Sequence, residues 1–85
     1  MMPENLMSQL EILVTPLCQE ANLELVDIQL KRYHQDYLIE IIADRPQGGI
    51  SIDECAGLNR RIINKIDETK LLSDYSVDVS SPGLD

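Results

Sequence analysis

Apolar residues in the first part of the chain recur every three or four positions, at Leu6, Leu10, Leu13, Leu17 and Ala21, with Glu4, Gln9, Glu11 and Glu20 between them. That interval matches one side of a helix and predicts an amphipathic helix over residues 4–21. Pro16 falls inside the pattern and removes one backbone donor, so a bend near residues 12–16 is expected rather than two separate helices. Asn22 then provides a C-terminal stop.

The period changes to two after Leu23. Val26, Ile28 and Leu30 alternate with Asp27, Gln29 and Lys31, and further on Ile39 and Ile41 alternate with Glu40 and Ile42. Two strands, 23–33 and 37–44, follow from this alternation. His34, Gln35 and Asp36 between them are polar and few enough for a hairpin turn.

Pro46, Gly48 and Gly49 mark a loop, and Ser51 followed by Glu54 forms a capping box that opens a second helix, expected to run to about Asp67. Ile52, Cys55, Ala56, Ile62, Ile63 and Ile66 are expected on its buried side, with Arg60, Arg61, Asn64 and Lys65 mostly opposite. Tyr75, Val77 and Val79 alternating with Ser76, Asp78 and Ser80 predict a third strand, closed by a turn at Pro82-Gly83. The order helix, strand, strand, helix, strand predicts an α+β fold: a two-layer sandwich with both helices on one face of a three-stranded sheet.

Eighty-five residues suit one domain with a single core, and 44% hydrophobic with 26% charged residues is the balance of a globular chain. No charged leader precedes an apolar stretch, and no apolar run is long enough to cross a bilayer, so a soluble, cytoplasmic protein without a membrane partner is expected. The formal net charge is -8, and the first thirty residues hold five acids and no Lys or Arg. Such a chain is repelled by phosphate backbones and attracted to basic partners.

Little in the sequence points to catalysis. His34 is the only histidine and fits a hairpin tip, while Cys18 and Cys55 fall at apolar helix positions that suit free, buried thiols. Gly48-Gly49 before a helix lacks the lysine of a phosphate-binding loop, and Asp53 and Glu54 at that helix start repel phosphate while complementing the helix dipole. The fifteen carboxylates are scattered singly and read as a solvated acidic surface, with no metal site and no cofactor expected. Arg60, Arg61 and Lys65 form one basic patch that suits either an ordinary solvated helix face or phosphate contact, without aromatic residues arranged for base stacking.

Three stretches taken together resemble the RimP family of ribosome maturation factors: Leu23-Glu24-Leu25-Val26-Asp27, Gly49-Ile50-Ser51-Ile52-Asp53-Glu54-Cys55-Ala56, and Asp78-Val79-Ser80-Ser81-Pro82-Gly83-Leu84-Asp85. The last is the most specific, and the resemblance runs through nearly the whole chain in the family's order. It implies a non-enzymatic assembly factor that binds the free small (30S) ribosomal subunit late in maturation, near the decoding-region protein. Asp27, Asp78, Ser80, Ser81, Pro82, Gly83, Leu84 and Asp85 would then contact a basic small-subunit ribosomal protein. It also implies that the final motif leads into a second, SH3-like β-barrel domain, which this sequence does not contain. The family's N-terminal domain is similar in topology to prokaryotic KH modules, which clamp RNA with a Gly-X-X-Gly loop. No such loop is found here, so ribosomal RNA contact through Arg60, Arg61 and Lys65 is the alternative function.

Overall fold

The computed structural model describes residues 3–45 and 48–82. Five elements follow one another: α1 (Pro3–Glu20), β1 (Glu24–Tyr33), β2 (Asp36–Asp44), α2 (Ile52–Thr69) and β3 (Tyr75–Ser80). The order and the α+β class are those expected. The sheet runs β1-β2-β3, with β1 antiparallel to β2 and β3 parallel to it. α2 is therefore the crossover that a parallel pair requires.

α1 runs continuously through Pro16. Its most deeply buried residues are Leu10, Val14 and Cys18, with Leu6 close behind, all four residues apart; Leu13, Leu17 and Ala21 lie on the flank of that stripe. Asn22 takes up left-handed φ 59, and the amide of Leu23 donates to the carbonyl of Cys18 at 2.8 Å. This bond from just past the helix to its last turn ends α1 where the asparagine stop was expected.

In β1, the alternation is interrupted by a bulge between Leu25 and Asp27. Leu25 and Ile28 both turn toward the helices, and Val26, expected inside, is 52% exposed. One extra residue on a strand shifts everything before it to the opposite face. β2 is central and follows its pattern, with Ile39, Ile41 and Ala43 fully buried under the helices.

α2 begins with the expected capping box: the amide of Glu54 donates to Ser51 Oγ at 3.1 Å, and the amide of Ser51 donates to Glu54 Oε1 at 3.0 Å. Its buried residues are Cys55, Leu58, Ile62 and Ile66. Ile52 and Ala56, expected on that side, are exposed, Ile52 by 73%, and Leu58 takes up the buried position instead. The helix then meets β3 through two polar ties. Asn59 Nδ2 donates to the Val77 carbonyl at 3.0 Å, and the Tyr75 hydroxyl lies 2.7 Å from Asp67 Oδ1 and 3.1 Å from the Ile63 carbonyl. Burial first, and the bond to Asp67 second, push the Tyr75 phenol up to about 12.

Arg45, at the end of β2, joins three segments. Its guanidinium donates to both carboxylate oxygens of Glu54 at 3.0 and 2.5 Å, to the Gly49 carbonyl at 3.1 Å and to the Ala21 carbonyl at 3.1 Å. The bidentate geometry suits a planar guanidinium. Arg45 first, and the capping bond of Ser51 second, hold the Glu54 carboxyl at about 2, well below its ordinary 4.5.

Two measurements check this packing. Ile62→Ala, at a fully buried position, lowers stability in urea unfolding by about 2–5 kcal/mol, whereas Ile52→Ser changes it by no more than about 0.5 kcal/mol; equal losses would contradict the helix orientation. The second concerns pH. A carboxylate whose pKa is lowered by folding stabilises fully above its unfolded value and loses that contribution as pH falls toward the folded one. The stability gap between the natural chain and Glu54→Gln is therefore widest above 4.5 and closes between 4.5 and about 2; a gap constant with pH would show that the Arg45 pairing does not stabilise the fold.

Candidate functional site

Both helices pack on one face of the sheet, and the opposite face is left open. Alternation assigns its members. On β3, Tyr75, Val77 and Val79 pack against the core, while Ser76, Asp78 and Ser80 point away and are exposed. On β1, Asp27, Gln29 and Lys31 are exposed opposite Ile28 and Leu30. On β2, Leu38, Glu40 and Ile42 are partly exposed and alternate with the buried Ile39, Ile41 and Ala43.

The register lays these residues out in rows across the strands. Ile42 is flanked by Asp27 and Ser80, Glu40 by Gln29 and Asp78, and Leu38 by Lys31 and Ser76. Glu24 and Asp44 pair at one end of the face, and Tyr33 and Asp36 at the other. Asp27, Asp78 and Ser80, which the sequence resemblance singled out, thus share one surface although β1 and β3 never touch. Glu24, Glu40 and Asp44 join them there. They were not singled out, because only the strand pairing shows that they are neighbours; the outward phase of Glu40 in its strand was the one signal available.

This face carries carboxylates at Glu24, Asp27, Asp36, Glu40, Asp44 and Asp78 against a single cation, Lys31, whose Nζ sits 3.2 Å from Glu40 Oε1. Glu40 and Asp78 are direct neighbours in register, as are Glu24 and Asp44. Like charges placed opposite one another destabilise a sheet, so the arrangement works against folding. Two of the acids are locally engaged: Asp27 Oδ1 accepts the Ile28 amide at 2.9 Å, and Asp44 Oδ1 lies 3.4 Å from Ser81 Oγ.

The remaining candidates are dispersed. Ser81 is buried where β3 ends against Asp44, and Pro82 is exposed just beyond it. Gly83, Leu84 and Asp85 lie outside the described residues. Arg60, Arg61 and Lys65 are exposed on α2, on the helix layer and so on the far side of the sheet from the acidic rows. Arg61 pairs with Glu20 at 3.7 Å and Lys65 with Glu68 at 3.5 Å. Two of the three cations are thus balanced by carboxylates of their own layer, where Glu11, Asp53 and Asp67 are also exposed.

Nothing described assembles into a reactive centre. Burial pushes the Cys18 thiol up, and burial, with Glu54 and Asp78 adding, does the same for Cys55, so both buried thiols are disfavoured as thiolate nucleophiles. Among the described residues, no three His, Cys, Asp or Glu side chains come close enough to hold a metal ion, and no helix is long and apolar enough to cross a membrane. The groove between α1 and the end of α2 brings Gln9, Lys65 and Thr69 to a lining otherwise made by Ile12, Leu13 and Leu71.

Fold and surface together define a two-layer α+β domain with an uncovered, acid-rich sheet face. The sequence profile of the RimP N-terminal domain matches residues 13–85, and the chain belongs to that family, which consists of ribosome maturation factors.

The repulsion on the open face is measurable. Asp78→Asn, which removes one member of the Glu40–Asp78 neighbour pair without opening the core, raises stability by about 0.2–1 kcal/mol in urea unfolding, and the gain shrinks as salt is added. A loss of stability would mean that Asp78 supports the fold instead of opposing it.

Proposed function

We propose that this chain is the acidic, non-enzymatic docking domain of a factor that assists assembly of the small (30S) ribosomal subunit in the cytoplasm. It acts by binding the free subunit through the open sheet face, with Asp27, Asp78 and Ser80 as contacts and a basic small-subunit ribosomal protein, near the decoding region, as the partner. The family resemblance adds Ser81, Pro82, Gly83, Leu84 and Asp85 to the proposed contacts. The observation that carries the reading is the concentration of six carboxylates and one cation on a face that no helix covers.

Opposite charges across an interface steer encounter and select partners more than they add affinity. An excess of fixed carboxylates is suited to a basic ribosomal protein and repels ribosomal RNA phosphates. The alternative, an RNA contact through Arg60, Arg61 and Lys65, draws less support, since Glu20 and Glu68 already neutralise two of those three cations.

Sedimentation with purified small subunits tests this. The 85-residue chain co-sediments at low salt and is lost at high salt, and Asp27→Lys with Asp78→Lys abolishes binding while Arg61→Glu leaves it unchanged. Retention by the double lysine variant, or loss on Arg61→Glu, would move recognition to the helix face. Binding only by a longer protein that carries the SH3-like domain would assign recognition to that domain.

A further inference from the structure

Besides Val26 at the bulge, the open face holds two aliphatic side chains on the central strand that the fold does not use. Leu38 and Ile42 are partly exposed, and neither belongs to the core cluster nor packs against it, unlike Leu25, Leu30, Val77 and Val79 on the other face. They sit four residues apart on the central strand with Glu40 midway and Asp78 beside Glu40. From one end of β2 to the other the face therefore presents an apolar, an anionic and again an apolar position, at intervals of about 6.6 Å. Asp27 and Ser80 border the Ile42 end, and Lys31 and Ser76 the Leu38 end.

We infer that this strip takes an extended basic polypeptide segment whose alternate side chains run apolar, cationic, apolar. The inference rests on the docking function proposed above and specifies the chemistry of what docks. Apolar side chains cover Leu38 and Ile42, and a Lys or Arg between them meets Glu40 and Asp78. Lys31 neutralises one of those two carboxylates, so the centre of the strip retains net negative charge. An apolar centre with a charged border is the usual anatomy of a protein interface.

The spacing favours a strand over a helix. Same-side residues of a strand repeat at the interval of the sheet's own rows, so an extended segment laid along β2 stays in step through all three. A helix advances about 6 Å in four residues but also turns about 40° beyond a full circle. Its third contact would be rotated well away from the sheet.

The test uses backbone-amide NMR titration of the 85-residue chain with the capped peptide Thr-Val-Thr-Lys-Thr-Val-Thr. Control peptides carry Ser for both Val, or Glu for Lys. Amides of residues 38–42 and 76–80 are expected to shift, with each control peptide about tenfold weaker. Ile42→Ser and Leu38→Ser each reduce binding to the control level; because neither side chain is part of the core, both variants keep the fold, and their amide spectra verify this. Equal binding of all three peptides, shifts confined to α2, or no shift at all would overturn the inference. Small-subunit sedimentation of Ile42→Ser separates it from the broader reading. If that variant still co-sediments while Asp27→Lys with Asp78→Lys does not, charge-driven docking stands and the apolar strip has no part in it.

Discussion

The geometry of this domain depends on one guanidinium. Arg45 stands where the central strand ends, and it must satisfy the carbonyl of Ala21 past α1, the carbonyl of Gly49 in the connecting loop and the carboxylate of Glu54 in the first turn of α2. Each helix end leaves unpaired backbone groups that need partners, and here one side chain serves the end of one helix and the start of the other. Glu54 is correspondingly shared, since the oxygen that accepts from Arg45 Nη1 also accepts the Ser51 amide in the capping box. Helix start, helix end and strand end are thereby fixed relative to each other, which sets both helices over the same face of the sheet.

That placement decides what the other face is free to do. With Ile39, Ile41 and Ala43 fully buried beneath the helices, the core draws on only one side of the sheet. Side chains on the opposite side are bound by few packing demands, so like charges can stand next to each other at Glu40–Asp78 and Glu24–Asp44 with only a small loss of stability. A fold optimised for stability alone would place opposite charges there. Retaining the repulsion makes sense if a partner supplies the missing cations.

The sequence pattern made the elements legible because each is a local property. The capping box at Ser51 and Glu54, the stop at Asn22 and the alternation of β2 and β3 all follow from residues within a few positions of one another. Errors arose where a single residue shifted phase. The bulge after Leu25 turned Val26 outward, and Ile52, the first residue of α2, overhangs the packed stripe that Cys55, Leu58, Ile62 and Ile66 form. The site was less legible than the fold. Asp27, Asp78 and Ser80 were reached through family resemblance, but their common surface, and the membership of Glu24, Glu40 and Asp44, depend on β3 pairing parallel with β2 across an intervening helix. No local pattern encodes that pairing.

The distribution of cations explains why the two sides of the domain differ in character. Seven Lys and Arg residues face fifteen acids, and four of the seven form ion pairs among the described residues: Lys31 with Glu40, Arg45 with Glu54, Arg61 with Glu20 and Lys65 with Glu68. Three of these pairs lie on the helix layer or at its ends, and only Lys31 serves the open sheet face. Exposed pairs such as Arg61–Glu20 add little to stability, but each cancels the charge of one carboxylate, so cations stand among the acids of the helix layer. Of the described carboxylates without a cationic partner, Glu24, Asp27, Asp36, Asp44 and Asp78 share the sheet face, while Glu11, Asp53 and Asp67 lie on the helices. The field of the sheet face is therefore a consequence of where the cations are absent, and the positions that maintain it are the strand residues opposite the core, where substitution disturbs the fold least.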